Sequence, residues 1–328
     1  PAKPVRVLIR GGVYRLQEPL VFAPEHSGTK DAPITYAAYP GEKPVLSGGA
    51  PISGWKKASE GPLWTTVVPA VKEGTWYFRQ LFVEGRRATP ARTPNDATFR
   101  SAGPGAGYDD PNAARKDPNT MRSILFHGDD IRPWSNLADA VVVVYHSWTT
   151  SRHVIQSIDA ENRRVEFTAP AHWPMGYWEK NQRYYIEFVR EALDSPGEWY
   201  LDRATGELTY YPRPGETMAD AEVVAPLCEE LLVLQGDPAN AKPVEYLRFE
   251  GLSLQHTDWV MPPAEPVDGQ ANAELPTAVV RAVGARNCAW ERCEIAHTGT
   301  YGLWLQNGCK DNRVDQCRLH DLGAGGVR

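Results

Sequence analysis

Residues 244–328 alternate apolar and polar positions in short runs, each closed by glycine or a polar turn, and the pattern repeats. Trp290-Glu291-Arg292-Cys293-Glu294-Ile295-Ala296-His297-Thr298-Gly299 aligns with Val314-Asp315-Gln316-Cys317-Arg318-Leu319-His320-Asp321-Leu322-Gly323 at an offset of 24. Cys falls on Cys, Ile on Leu and Gly on Gly. Beyond them Gly302 lands on Gly326 and Leu303 on Val327. Upstream, Phe249-Glu250-Gly251-Leu252-Ser253-Leu254-Gln255-His256-Thr257 fits the same template at an offset of 41. The 17 extra residues match a Pro-rich insertion, Asp258 to Glu274. Alternation over a few residues predicts half-buried strands. A repeat of this length predicts stacked coils of a parallel β-solenoid.

The N-terminal residues read the same way. Val5-Arg6-Val7-Leu8-Ile9, Val13-Tyr14-Arg15-Leu16, Leu20-Val21-Phe22, Ile34-Thr35-Tyr36-Ala37-Ala38 and Val45-Leu46-Ser47 are short apolar runs separated by Gly and Pro turns. They suit the first coils, over 1–57. From about 58 to 220 the repeat is lost. Strand candidates there include Ala140 to Tyr145, Arg164 to Phe167 and Tyr184 to Phe188, and Ala204-Thr205-Gly206 marks a hairpin turn. This stretch is expected to be an inserted antiparallel β-sandwich, with one short helix over Pro133 to Ala138. Residues 221–328 return to the coils. The chain is therefore expected to be all-β, a parallel β-helix with an inserted sandwich.

Composition adds limits. The chain has 328 residues, 28 Gly and 28 Pro, which means many turns and few long helices. With 35 basic and 41 acidic residues it carries a net charge of −6, and no basic run points to nucleic acid or a membrane surface. No apolar stretch is long enough for a membrane-spanning helix. Of five Cys, Cys293 and Cys317 occupy equivalent positions and read as buried thiols stacked in neighbouring coils, with a disulfide as the other reading. Pro1 runs directly into a strand and Arg328 falls inside one. The expectation is a fragment, with a cap preceding it, coils following it, and any signal peptide lost.

Several stretches together resemble the right-handed parallel β-helix carbohydrate-active proteins, glycoside hydrolase family 141 in particular. They are Arg10-Gly11-Gly12-Val13-Tyr14, Ala38 through Gly49, Gln80-Leu81-Phe82-Val83-Glu84-Gly85-Arg86-Arg87-Ala88 with Ala91 through Asn95, and His320 through Val327. The resemblance implies a β-helix with sandwich additions near its N-terminal side. It also implies a secreted, periplasmic or cell-surface location and action on plant or algal polysaccharides, the family's activities including fucosidase and xylanase. Catalytic carboxylates are implied on coils in the second half of the helix.

Adjacent coils stack about 4.8 Å apart, so residues equivalent in the repeat are neighbours. One such column is His256, His297 and Asp321, just past the strand end. A carboxylate beside imidazoles suits proton transfer; the alternative is a set of turn residues bonding backbone. Asp321, with His297 and His320, is the candidate catalytic group. Glu291 over Asp315 offers a second carboxylate pair at retaining-glycosidase spacing, or a solvated outer face. Glu294 over Arg318 reads as a cross-coil ion pair. Sugar rings stack on aromatic faces and bond through polar neighbours. That makes His256, Asp258, Trp259, Tyr301, Trp304, Trp173, Tyr177 and Trp178 the substrate-binding candidates. No Cys/His spacing fits zinc, and no cofactor is expected.

These features point to a hydrolase with polysaccharide or oligosaccharide as its partner. Two rivals are a lyase acting on uronic-acid glycans, for which calcium would enter, and a non-catalytic carbohydrate-binding or adhesin β-helix.

Overall fold

A computed structural model describes residues 3–59, 61–262, 267–270 and 277–328, the side chains of 267–270 excepted. Among these residues the structure is almost all β, and the helical elements are single turns of three or four residues. Pro133 to Ala138 forms no helix: 135–139 are turn. The proline and the absence of an apolar helical face leave nothing to propagate one.

Three parallel sheets carry the two ends of the chain. The first pairs Val5–Ile9, Ile34–Ala38, Leu247–Glu250, Ala289–Glu291 and Arg313–Asp315 in that order. The second pairs Gly12–Arg15, Pro44–Ser47, Ser253–Thr257, Glu294–Thr298 and Arg318–His320. The third pairs Leu20–Phe22, Leu232–Gln235, Ala278–Val283 and Tyr301–Leu305. On each pass the chain visits the sheets in this order. Left-handed residues mark the corners between them at the same two offsets as the sequence repeat. They are Tyr246, Asn287 and Asp311 at one corner, Gly251, Arg292 and Gln316 at the next, and His256, His297 and Asp321 at the last. Alternate side chains point inward and pack as one core, with Leu46, Leu254 and Ile295 from the second sheet facing Leu234, Val280 and Leu303 from the third. Tyr36, Phe249 and Trp290 form an interior stack, with ring centroids 5.7 and 5.9 Å apart.

The second pass is interrupted after Pro44–Ser47 and resumes at Leu232–Gln235. The residues between build separate sheets, almost wholly antiparallel. The largest has nine strands and includes Val141–Tyr145, Thr149–Asp159 and Arg183–Glu187. Val141 to Val144 form an unbroken apolar run because both faces of this sheet are covered. Val141 and Val143 pack with Trp199, Leu208 and Tyr210 of a five-stranded sheet. Val142 and Val144 pack on the other side with Ile124, Val165 and Phe167. The hairpin about Ala204-Thr205-Gly206 joins Glu198–Leu201 to Glu207–Tyr210.

The insertion after His256 leaves from the same corner of the next pass, and falls in part on 263–266 and 271–276, outside the described residues. Both departures from the repeat therefore open at the corner that carries His256, His297 and Asp321.

Candidate functional site

The corner column is assembled as the repeat places it. His256, His297 and Asp321 have φ of 62°, 56° and 48°. This left-handed region is one that His and Asp tolerate better than branched residues do. It turns the chain while leaving the side chains stacked outside the core. The His256 and His297 rings are parallel, 5.6 Å apart. His297 Nδ1 lies 2.6 Å from Asp321 Oδ2, and His256 Nδ1 lies 2.9 Å from Ser47 Oγ.

The middle segment covers this column. Phe82 sets its ring 5.2 Å from both imidazoles. Arg87 Nε donates to Asp321 Oδ1 at 2.8 Å, and its terminal nitrogens donate to the Thr298 and Asp321 carbonyls at 2.9 and 2.8 Å and to Gln80 Oε1. One guanidinium thus ties the inserted strands to two turns of the corner.

Burial pushes the Asp321 carboxyl up, but the hydrogen bonds from His297 and Arg87 outweigh it and bring the group to about 2. Asp321 is an anion throughout the physiological range. Burial, with His297 and Arg15 nearby, takes His256 down to about 3, so this ring is neutral. His297 is the member of the column with an ionised partner.

Beside the column, the outer face of the second sheet forms a polar floor. Arg15, Ser47, Gln255, Ala296 and His320 are successive register partners across it. A cavity of about 150 Å³ lies between this floor and Phe82, Gly85, Glu222 and Val224. His320 Nε2 is 3.1 Å from Glu294 Oε1, and its ring meets His297 edge-on at 6.0 Å. Glu294 and Arg318 are register partners, yet the expected ion pair between them is not formed. Glu294 binds Lys43 Nζ at 2.7 Å, His320 and Ser253 instead. Burial raises its carboxyl, and these partners bring it down to about 2. Glu291 and Asp315 are in register, but Glu291 is buried and bound by Arg313, so the two do not face a sugar as an open pair.

The remaining candidates separate. Asp258 is buried, its oxygens taken by the backbone N–H groups of Arg79 at 2.7 Å and Trp259 at 2.8 Å. It braces a turn instead of facing solvent. Trp259 is half-buried and lines a second cleft, with Arg79, Arg87 and Arg152. Tyr301 is buried in a small cluster with Ala278, against which Trp259 and Trp304 pack. The guanidinium of Arg328 lies over the Trp304 ring at 4.2 Å. Trp173, Tyr177 and Trp178 pack together on the middle segment, joined by exposed Trp148 at 4.4 Å from Trp178.

Arg87, Phe82 and Ser47 belong to the site and were not singled out from sequence. All three lie within the stretches that carry the family resemblance, which was the only signal for them. The five cysteines are free thiols, Cys293 buried and Cys317 half-buried.

No protein-family model matches the chain, and no curated protein does. Among solved structures the chain is similar to one named "Glycoside hydrolase", at 25% identity and a TM-score of 0.80. The match covers 99% of this chain and 60% of that one, so the chain spans under two thirds of the neighbour. A second structure, "The complex structure of XylC with xylose", matches at 12% identity over 92% of this chain and 36% of that one. Its TM-score of 0.40 is too low to carry an argument.

Proposed function

We propose that the chain is the catalytic-groove portion of a secreted glycoside hydrolase that acts on plant or algal cell-wall polysaccharide. The three parallel sheets are, in this reading, successive coils of a right-handed β-helix of the family 141 kind, with the middle segment as a wall over them. The observation that carries the proposal is the likeness, along nearly the whole chain, to a structure named glycoside hydrolase. The corner column supplies the chemistry.

Hydrolysis of a glycosidic bond adds water across it: the anomeric carbon gains hydroxide and the departing oxygen gains a proton. Asp321 stays ionised, so it acts on the base side and not as the acid. It holds one ring nitrogen of His297, which leaves the other free to exchange a proton with a bound hydroxyl or water. His320 extends this to the floor. Aromatic faces in the middle segment, Trp173, Tyr177 and Trp178, take a longer glycan.

The test is release of reducing ends from neutral and uronate-containing cell-wall polysaccharides, with ultraviolet absorbance followed for unsaturated sugars. Hydrolysis produces reducing ends without that absorbance. Asp321→Asn is expected to lower the rate by about a hundredfold or more, the scale of losing an acid–base group. Absorbance from unsaturated product would replace this reading with a lyase. Binding without cleavage of any glycan would leave a carbohydrate-binding module.

A further inference from the structure

We propose that the second cleft, between the middle segment and the corner of the third to fifth passes, is a subsite for a sugar residue bearing an oxyanion, either a carboxylate or a sulfate ester. The proposal rests on the glycoside hydrolase reading for the sugar but not for the anion.

The cleft measures about 250 Å³, and three of its walls are arginines, Arg79, Arg87 and Arg152. Two of them are engaged. Arg87 is taken up by Asp321, Thr298 and Gln80. Arg152 bonds Glu187 at 3.1 Å. Arg79 differs. It is 8% exposed, and its Nε has no hydrogen-bond partner. Among the side chains described, no carboxylate makes a salt bridge with it, and the charge it feels is that of Asp258 nearby. The nearby Asp258 carboxylate spends its oxygens on backbone N–H groups, one of them that of Arg79 itself.

The Arg79 guanidinium is supported on its faces, 4.7 Å from the Phe188 ring centre and 5.7 Å from that of Tyr77. Cation–π contact steadies the faces of a guanidinium and leaves its N–H edge unsatisfied. A buried N–H with no acceptor, here that of Nε, costs free energy, and an oxyanion entering the cleft would supply the acceptor. Arginine is suited to this because its fork matches carboxylate and sulfate geometry.

The rest of the cleft suits a sugar ring. Trp259, half-buried, lines it together with the apolar side chains of Phe188, Met261 and Leu322, and apolar faces of this kind pack against the C–H face of a sugar. The volume lies below that of pockets for drug-sized ligands, so the ligand sought is a small one. Arg87 faces this cleft and also binds Asp321. An anionic residue held here therefore lies next to the corner column.

The experiment titrates the purified chain with methyl β-D-glucuronide, D-glucose 6-sulfate, methyl β-D-glucoside and inorganic sulfate, read by tryptophan fluorescence and calorimetry. At least one anionic sugar is expected to bind about tenfold or more tighter than the glucoside, and tighter than sulfate alone. Which of the two does so distinguishes carboxylate from sulfate ester. Arg79→Gln is expected to abolish that preference while leaving glucoside affinity within about twofold. Arg152→Gln, at a more exposed position, gives a smaller loss and serves if the Arg79 variant does not fold. Equal affinity for charged and neutral sugars, an absence of binding by all of them, or a preference that survives both substitutions overturns the subsite. Anion preference without cleavage of any glycan sinks the hydrolase reading alone. Cleavage of neutral glycans without anion preference sinks the subsite alone.

Discussion

At the scale of single residues, Arg87 is the side chain on which the corner depends. Its donors reach one carboxylate oxygen, two carbonyls and one amide oxygen at once. A lysine ammonium is a point charge and cannot span that set. Arg87→Lys is therefore expected to keep the fold but lower kcat/KM about tenfold, and Arg87→Met to lower it further. The carboxyl of Asp321, relieved of its cation, should titrate higher, so the acid limb of the pH–rate profile moves up. A profile that keeps its acid limb in Arg87→Met would show that the guanidinium does not set the Asp321 charge. Two buried imidazoles make a separate prediction. Burial holds both His153 and His256 at about 3, against an ordinary value of 6.5. Between those limits the unfolded chain takes up a proton that the folded chain refuses. Stability from each is complete above about pH 6.5 and is lost as pH falls toward 3. At pH 5 the loss is at most about 2 kcal/mol per imidazole. Urea midpoints measured from pH 7.5 to 5 should fall, and His153→Gln should roughly halve the slope.

At the scale of elements, the sequence carried the repeat because each corner asks for the same backbone. The offsets of 41 and 24 recur in the left-handed residues of all three corners. The alternation between corners shows which side chains enter the core. That is why the His256–His297–Asp321 column and the buried Cys293 were legible. Ion pairs were less so, because register sets which Cα atoms are neighbours and not where long side chains go. Lys43 reaches Glu294 from the loop before Pro44–Ser47, and Arg318 is left out. Arg87 was beyond reach for another reason: 234 residues separate it from Asp321, and the middle segment has no repeat to place it. The ring stack tests the repeat energetically. Phe249 is sandwiched between Tyr36 and Trp290 and almost wholly buried. Phe249→Ala leaves a cavity between two rings that cannot close together, and should cost about 3–5 kcal/mol in urea unfolding. A cost below about 1 kcal/mol would mean that the stack collapses without penalty.

At the scale of the molecule, the first pass supplies one edge strand to each of the three parallel sheets. Val5–Ile9, Gly12–Arg15 and Leu20–Phe22 each lie at the edge of their sheet. Every one carries exposed apolar side chains, among them Leu8, Val13 and Val21. An edge strand offers unpaired N–H and C=O groups, and three in one layer with apolar side chains form a template for another chain. A chain purified with this layer uncovered is therefore expected to self-associate as its concentration rises. Charge on such strands opposes edge pairing, and lysine is the common device. Val7→Lys with Val21→Lys places one charge on each of two edges, at positions already 40% and 55% exposed. Neither change removes a core contact of the kind that Phe249 makes, so thermal stability measured on dilute protein should change by less than about 1 kcal/mol, as for ordinary surface substitutions. Sedimentation velocity over a range of concentrations separates the outcomes. The double variant should remain monomeric where the parent chain associates. If the two sediment alike at every concentration, the N-terminal layer is not the associating surface.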